Sequence, residues 1–171
     1  MILKNLKIKN IMIGEKNPPV FFPDIGTFFN QDTILAKKLI EKLINSGAEV
    51  IKGEILHDPN IAIKSSKTES YLNNKGKTVK ENIRALIERK VVSLSKYENL
   101  FNFCKKKKVP FILSVYDFKG ADFAYEIGAS ALKIASSNIV HKPLIEHLNT
   151  GIYDEDELFF SSSTTISHFL Q

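Results

Sequence analysis

Two lysines in this chain occupy equivalent places in a repeated pattern, Gly47-Ala48-Glu49-Val50-Ile51-Lys52 and Gly128-Ala129-Ser130-Ala131-Leu132-Lys133. In each case an amphipathic helical stretch precedes the glycine, which is the residue that most readily stops a helix. A few strand-compatible residues then carry the chain to the lysine. Strand C-termini in βα repeats gather the loops that make a site, so a cation placed there faces an anionic ligand. The competing reading, in a chain rich in lysine, is that each lysine merely begins a loop and points into water. Repetition of the pattern favours the site.

The same rim collects Asp24, Lys52 and Glu54, Ser114 and Asp117, Lys133, Ser136 and Asn138, and the run Ser161-Ser162-Ser163. Ammonium groups supply point charge, and hydroxyls or loop N–H groups supply directed donors. That combination holds a phosphate or carboxylate without a glycine-rich nucleotide motif, and no Walker or dinucleotide fingerprint is present. Asp24 and Asp117 could act as general acid or base, although strand-end aspartates also cap the next helix; Asp24 is the one assigned to catalysis. His57, His141, His147 and His168 fall on loop and helix positions without metal-ligand spacing. They read as surface or core residues, and no metal is assigned within the chain.

The elements that must position these groups follow from periodicity. Residues 1–19 alternate and then break at Gly14 and Pro18-Pro19, as a small hairpin does. A β-then-α grammar follows: a strand over 20–24, then a helix over 33–46 capped by Asp32, with Ile34, Leu35, Leu39, Ile40 and Leu43 as its apolar stripe. A second strand covers 49–53, and the polar stretch 57–77 is a loop far longer than usual. Helices are expected over 79–90, capped by Thr78, and from Ser93 or Ser95 through Lys107. A third strand spans 109–114, a helix 119–127, a fourth strand 131–135, a short helix 143–148, and a fifth apolar run is Leu158-Phe159-Phe160. Five βα units mean an α/β fold, either a doubly wound open sheet or part of a TIM-type (β/α)₈ barrel; a full barrel needs about 250 residues, so length favours the open sheet.

Composition narrows the function classes. A chain of 171 residues with 43% hydrophobic residues fits one folded domain and excludes disorder. The formal charge of +5 comes almost wholly from lysine, with Arg84 and Arg89 the only arginines, which argues against nucleic acid as partner. Lys105-Lys106-Lys107-Lys108 reads as a solvated helix end near the terminal carbonyls. Cys104 reads as a small buried apolar residue of a reducing compartment, with no partner for a disulfide or cluster. No run of eighteen apolar residues and no signal-peptide core is seen, so a cytoplasmic protein without a membrane partner is expected.

In order along the chain, Pro18-Pro19-Val20-Phe21-Phe22-Pro23-Asp24-Ile25-Gly26, the first Gly-Ala…Lys segment, Phe111-Ile112-Leu113-Ser114, and Leu132-Lys133-Ile134-Ala135-Ser136 with Pro143-Leu144-Ile145 resemble the sialic acid (N-acetylneuraminate) synthase family. The resemblance runs from about Glu15 to Leu148. It implies condensation of phosphoenolpyruvate with an N-acetylated amino sugar to form a nonulosonic acid. It also implies a (β/α)₈ barrel, a divalent metal, manganese or magnesium, and a small C-terminal antifreeze-like domain. By the same resemblance Lys52, Ser114, Lys133 and Ser136 hold phosphoenolpyruvate, and Ser161 to Ser163 lie near a Ser-Thr-Gly turn. Asp24 stands for the glutamate of a Glu-Ile-Gly motif, one methylene shorter.

Several positions depart from that pattern. Phe28-Phe29 replace an Asn-His pair, Glu54 a glutamine, Val115 a threonine and Asn138 a glutamate. The family's metal-binding histidines come from later strands, so the metal ligands are absent from this chain. The expected organisation is a hairpin over 1–19 and a truncated TIM-barrel synthase-like domain over 20–171. Its open edges call for a homo-oligomer or a completing partner chain. Two other readings remain at this point: a divergent, non-catalytic relative that retains anion binding, and a Schiff-base aldolase built on one strand-end lysine.

Overall fold

The computed structural model describes residues 6–73, 75–149 and 158–160. Alternating apolar residues near the N-terminus form an antiparallel hairpin of β1 (Leu6–Ile8) and β2 (Ile11–Ile13). The next strand, β3 (Asp24–Gly26), begins where the sequence reading ends its first strand. Pro23 has no N–H to give to a ladder, so regular pairing starts one residue later. Its carbonyl still accepts from the Lys52 N–H at 2.9 Å. The register between β3 and its neighbour shifts between Asp24 and Gly26, where Gly26 takes a positive φ of 43°.

The remaining elements alternate. Helix α1 (Thr33–Asn45) follows β3, and the Asp32 carboxylate accepts from the N–H groups of Ile34 and Leu35, as expected of its cap. Gly47, at φ 93°, then turns the chain into β4 (Ile51–Glu54). Further on come α3 (Leu94–Lys106), β7 (Phe111–Val115), α4 (Phe118–Glu126), β8 (Ala131–Ile134), α5 (Lys142–Leu148) and β9 (Leu158–Phe160). Between β4 and α3 lie β5 (Thr68–Leu72), β6 (Thr78–Asn82) and α2 (Ile83–Glu88).

Strands β3, β4, β7, β8 and β9 form one parallel sheet in that order, each beside the next one made. Among the described residues the order never reverses, so these five strands lack the switch point that marks a doubly wound arrangement. One face packs on helices: Ile51, Phe111, Leu113, Val115, Leu132 and Ile134 join Ala36, Ile40, Leu100, Phe101, Cys104 and Ala124 in the main core. Cys104 is buried there as a free thiol, and burial pushes its pKa up to about 12. On the other face Val50, Ile112 and Ala131 pack with Ile8, and Ile11, Ile13, Val20 and Phe22 lie against them. The N-terminal hairpin therefore covers the early end of that face.

The segment 57–90 differs from expectation. The long polar stretch is no simple loop: Pro59–Ile61 make a 3₁₀ turn and β5 pairs antiparallel with β6, from Thr68 opposite Asn82 to Leu72 opposite Thr78. The helix expected over 79–90 shrinks to α2, and its cap is Asn82, which accepts from the Ala85 N–H, in place of Thr78. Thr78 and Val79 are β-branched and favour the strand. Tyr71, Glu81 and Arg89 then lock hairpin to helix, with Tyr71 Oη 2.9 Å and Arg89 Nη2 2.7 Å from Glu81 Oε2. Ser93 stands at the cap position of α3 but its hydroxyl meets Ser95. The run Ser161 to Ser163 and His168 lie outside the described residues. Among the described residues no helix is long and apolar enough to cross a membrane.

Candidate functional site

Period-two alternation builds this site directly from the sequence. Val50, Ile112 and Ala131 form the small apolar layer under the hairpin, with Phe22 packed against it. Two residues further along each chain segment stand Lys52, Ser114, Lys133 and Asp24. A step of two returns the side chain to the same face one level nearer the strand C-termini. By register Asp24 pairs with Lys52, which stands beside Ile112, and one level nearer the strand ends Glu54 pairs with Ser114 and Ser114 with Lys133. The structure thus brings four of the five predicted site residues onto one face.

Within that layer the charges are unevenly shared. Lys52 Nζ lies 2.5 Å from Asp24 Oδ2 and 3.6 Å from Glu54 Oε1, and the lysine side chain is 11% exposed. Asp24 is held from its other oxygen as well, since Oδ1 accepts from the Gly26 N–H at 2.7 Å. The Glu54 carboxylate also accepts from the Tyr116 phenol. Burial, then the Glu54 charge, push that phenol's pKa above its ordinary value, so it remains a donor.

Lys133 is half-buried and, among the described residues, has no carboxylate within ion-pair distance. Burial lowers its pKa first and the Lys52 ammonium lowers it further, with Glu54 and Asp24 offsetting part of the effect. Between the two lysine strands Ser114 is 1% exposed, and its Oγ has no hydrogen-bond partner among the described residues. A buried hydroxyl without a partner is uncommon and costly. Ser114 stands in register with Lys133 on the neighbouring strand.

The fifth predicted residue, Ser136, starts a 3₁₀ turn over Ser136–Asn138 beyond the strand end and is exposed. Asn138 braces that turn, its Nδ2 donating to the Tyr116 carbonyl at 3.0 Å. Asp117 is a helix cap, as the alternative reading had it: Oδ1 accepts from the Gly120 N–H at 2.6 Å. The same oxygen lies 3.0 Å from His57 Nε2, so the loop after β4 is tied to the start of α4. His57 is therefore a paired rim residue. Tyr116 escaped the sequence reading altogether, although its spacing of two after Ser114 was a usable signal.

Among the described residues no group of three or more His, Cys, Asp or Glu side chains is placed to hold a metal ion. The acids present are engaged by Lys52, His57 or backbone N–H groups. They do not fit the divalent metal that the resemblance implies, and no chemical step is derived through one.

Comparison with known proteins gives one consistent result. The model of the NeuB family matches residues 39–161. An N,N'-diacetyllegionaminic acid synthase of Campylobacter jejuni is 27% identical over 126 residues, covering 73% of this chain and 37% of that protein. The pseudaminic acid synthase of Helicobacter pylori is 26% identical over 150 residues, covering 82% and 44%. A crystal structure of the N-acetylneuraminic acid synthetase of Leptospira borgpetersenii superposes with a TM-score of 0.75 at 21% identity, over 96% of this chain and 52% of that one. The chain spans less than half the length of these two curated relatives.

Proposed function

Because the chain belongs to the NeuB family, we propose that its strand-end rim is the phosphoenolpyruvate-binding part of a synthase that joins phosphoenolpyruvate to an N-acetylated amino sugar, forming a nonulosonic acid. The single observation that carries this reading is the layer of Asp24, Lys52, Ser114 and Lys133 on one face of a parallel sheet, with the Ser114 hydroxyl buried and unengaged among the described residues. Lys133 and Ser114 bind the acid, Ser136 lies at the mouth, and Asp24, fixed by Lys52 and Gly26, holds or takes a proton. Relatives named as legionaminic and pseudaminic acid synthases support the product class.

In the same reading the sheet is the first five units of a (β/α)₈ barrel, which the unreversed strand order supports. The described residues offer no ligand set for the manganese or magnesium ion. The five described strands leave the sheet unclosed, and a second copy or a partner chain covers it. Light scattering on the purified chain tests that point, a stable monomer with intact binding being the contrary result. Activity is tested by giving the chain phosphoenolpyruvate, manganese and N-acetylmannosamine: phosphate release is expected, and none at any protein concentration removes the reading.

A second reading has its own observation. Phe29 and Val115, which by the resemblance stand where the family has polar residues, are buried in the main core and so offer a sugar no polar group. The chain is then a non-catalytic relative that keeps anion binding. Calorimetry showing no phosphoenolpyruvate binding, and no change on Lys133→Ala, removes it.

A further inference from the structure

Helices α1, α3 and α4 end in the same turn, and one of the three builds it with an unexpected residue. The N–H groups of Ala48, Val109 and Ala129 reach back to the carbonyls of Leu43, Cys104 and Ala124, at 3.0, 3.1 and 2.9 Å. The residue before each of these amides is left-handed: Gly47 at φ 93°, Lys108 at 58° and Gly128 at 74°. Glycine meets no steric penalty there, whereas the Cβ of a lysine does, and lysine has no short polar side chain to offset it. Lys9 repeats the exception. It is the first of the two residues turning β1 into β2, at φ 54°, where glycine, asparagine or aspartate is favoured. Both lysines in strained backbone line one cleft.

That cleft, of about 430 Å³, lies where β7 and β8 begin, at the opposite end of the sheet from Lys52 and Lys133. Phe101 and Ile127 give it an apolar wall. Ser130 is buried beside them; its Oγ accepts from the Phe111 N–H at 3.3 Å, and its own proton goes to no acceptor among the described residues. The lysine run that ends α3 divides here. Lys107 turns away to Glu41 at 2.7 Å, while Lys105 and Lys108 line the cleft. Lys105 also lines an adjoining cleft with Glu98 and Glu126, which offset its charge. Among the described residues Lys9 and Lys108 have no carboxylate within ion-pair distance.

We propose that this cleft is a second ligand site, for a phosphate monoester with an apolar body, in which Lys9 and Lys108 hold the phosphate and the body lies against Phe101 and Ile127. A phosphate group carries about −1.5 to −2 charges at neutral pH, which matches two uncompensated ammonium groups better than a single carboxylate does. Glu98 and Glu126 repel an anion at the Lys105 side, so the ligand's uncharged end points there, along the wall of Phe101 and Ile127 that the two clefts share. The site is independent of the strand-end rim and of the activity proposed for it.

Isothermal titration of the full chain with phenyl phosphate, inorganic phosphate and phenol tests this. Phenyl phosphate should bind about tenfold more tightly than either of the other two. Lys9→Gly and Lys108→Gly each remove one cation and relieve the left-handed backbone. Each should weaken phenyl phosphate about tenfold while the urea midpoint stays level or rises. Lys108→Gln, which keeps the side-chain stem, should lose binding to the same degree. Lys133→Ala, which strips the rim of its unpaired cation, should leave phenyl phosphate affinity within about twofold. Loss of binding in Lys133→Ala with none in the Lys9 and Lys108 variants overturns the inference and leaves the rim reading standing. No binding of phenyl phosphate by wild type, equal binding of inorganic phosphate, or a lowered urea midpoint for Lys108→Gly with affinity unchanged also overturns it.

Discussion

Lys52 and Lys133 stand on the same face of one sheet, two strands apart, in opposite electrostatic circumstances. Lys52 is held by Asp24 at 2.5 Å and by Glu54 at 3.6 Å, whereas Lys133 has no such partner among the described residues. Removing a cation from an almost buried pair strands its carboxylates, while removing an unpaired, partly desolvated one relieves a cost. Asp24 is 38% exposed, which discounts the usual loss. Lys52→Met should destabilise the fold by about 1–3 kcal/mol, and Lys133→Met should leave it unchanged or stabilise it by up to about 1 kcal/mol. Urea unfolding of the two variants measures both, and equal losses would contradict the asymmetry.

The same lysine gives a pH signature whose sign is fixed. The Lys133 pKa is lowered from 10.5 in the folded chain, chiefly by burial and then by Lys52. Between that lowered value and 10.5 the unfolded chain binds more protons than the folded one, so the group's contribution to stability rises with pH there. Below that window the full cost of the charged form is present. Tyr97, Tyr116 and Cys104, whose pKa values are raised mainly by burial, act in the opposite sense at high pH, so the difference between proteins is what isolates Lys133. Lys133→Met should be the more stable protein at pH 7, and its advantage should shrink as pH approaches 10.5. A gap that widens in urea titrations from pH 7 to 10 contradicts this.

What was legible in the chain was whatever depends on neighbours one to four residues away. The repeated Gly-Ala…Lys pattern put Lys52 and Lys133 at strand ends, where they stand on one face with Val50, Ile112 and Ala131 behind them, and Asp32 and Asp117 cap their helices. What escaped depends on residues far apart in sequence. His57 reads as an isolated loop residue until Asp117, sixty positions on, is brought to 3.0 Å. Thr78 reads as a cap only while β5 is unknown, because its strand exists through pairing with Leu72. The first strand was misplaced because Pro23 withholds an N–H, a local fact outweighed in the reading by the apolar run around it. Charge balance at Lys52 was legible in composition, through Asp24 and Glu54, but not in geometry.

Gly53 and Phe111 define a close approach on the helix-packed face. A Cβ at Gly53 would stand 2.7 Å from Phe111 Cζ and 2.9 Å from its Cε2, nearer than carbon atoms tolerate. Phe111 is 1% exposed and boxed in by the main core, so its ring has little room to yield. Gly53→Ala should therefore cost about 1–3 kcal/mol. Shortening the ring's reach with Phe111→Leu should make the alanine cheaper than in wild type, a positive coupling read from a double-mutant cycle of unfolding free energies. Additive losses would mean that the ring is not what excludes the methyl group.

Ser114 separates a structural role from a binding role most sharply. Its hydroxyl is buried and, among the described residues, engages nothing, so the folded chain bears a desolvation cost with no hydrogen bond to offset it. Alanine removes the orphan atom and almost no packing volume. Ser114→Ala should leave stability unchanged or raise it by about 0.5–2 kcal/mol. A ligand oxygen that uses the hydroxyl loses a donor, so carboxylate affinity should fall about tenfold in calorimetry. Were Ser114 there to support the sheet, the signs would reverse, with stability falling and affinity unchanged. Gain of stability with loss of binding is the pattern expected of a side chain kept at a cost to the fold for a ligand.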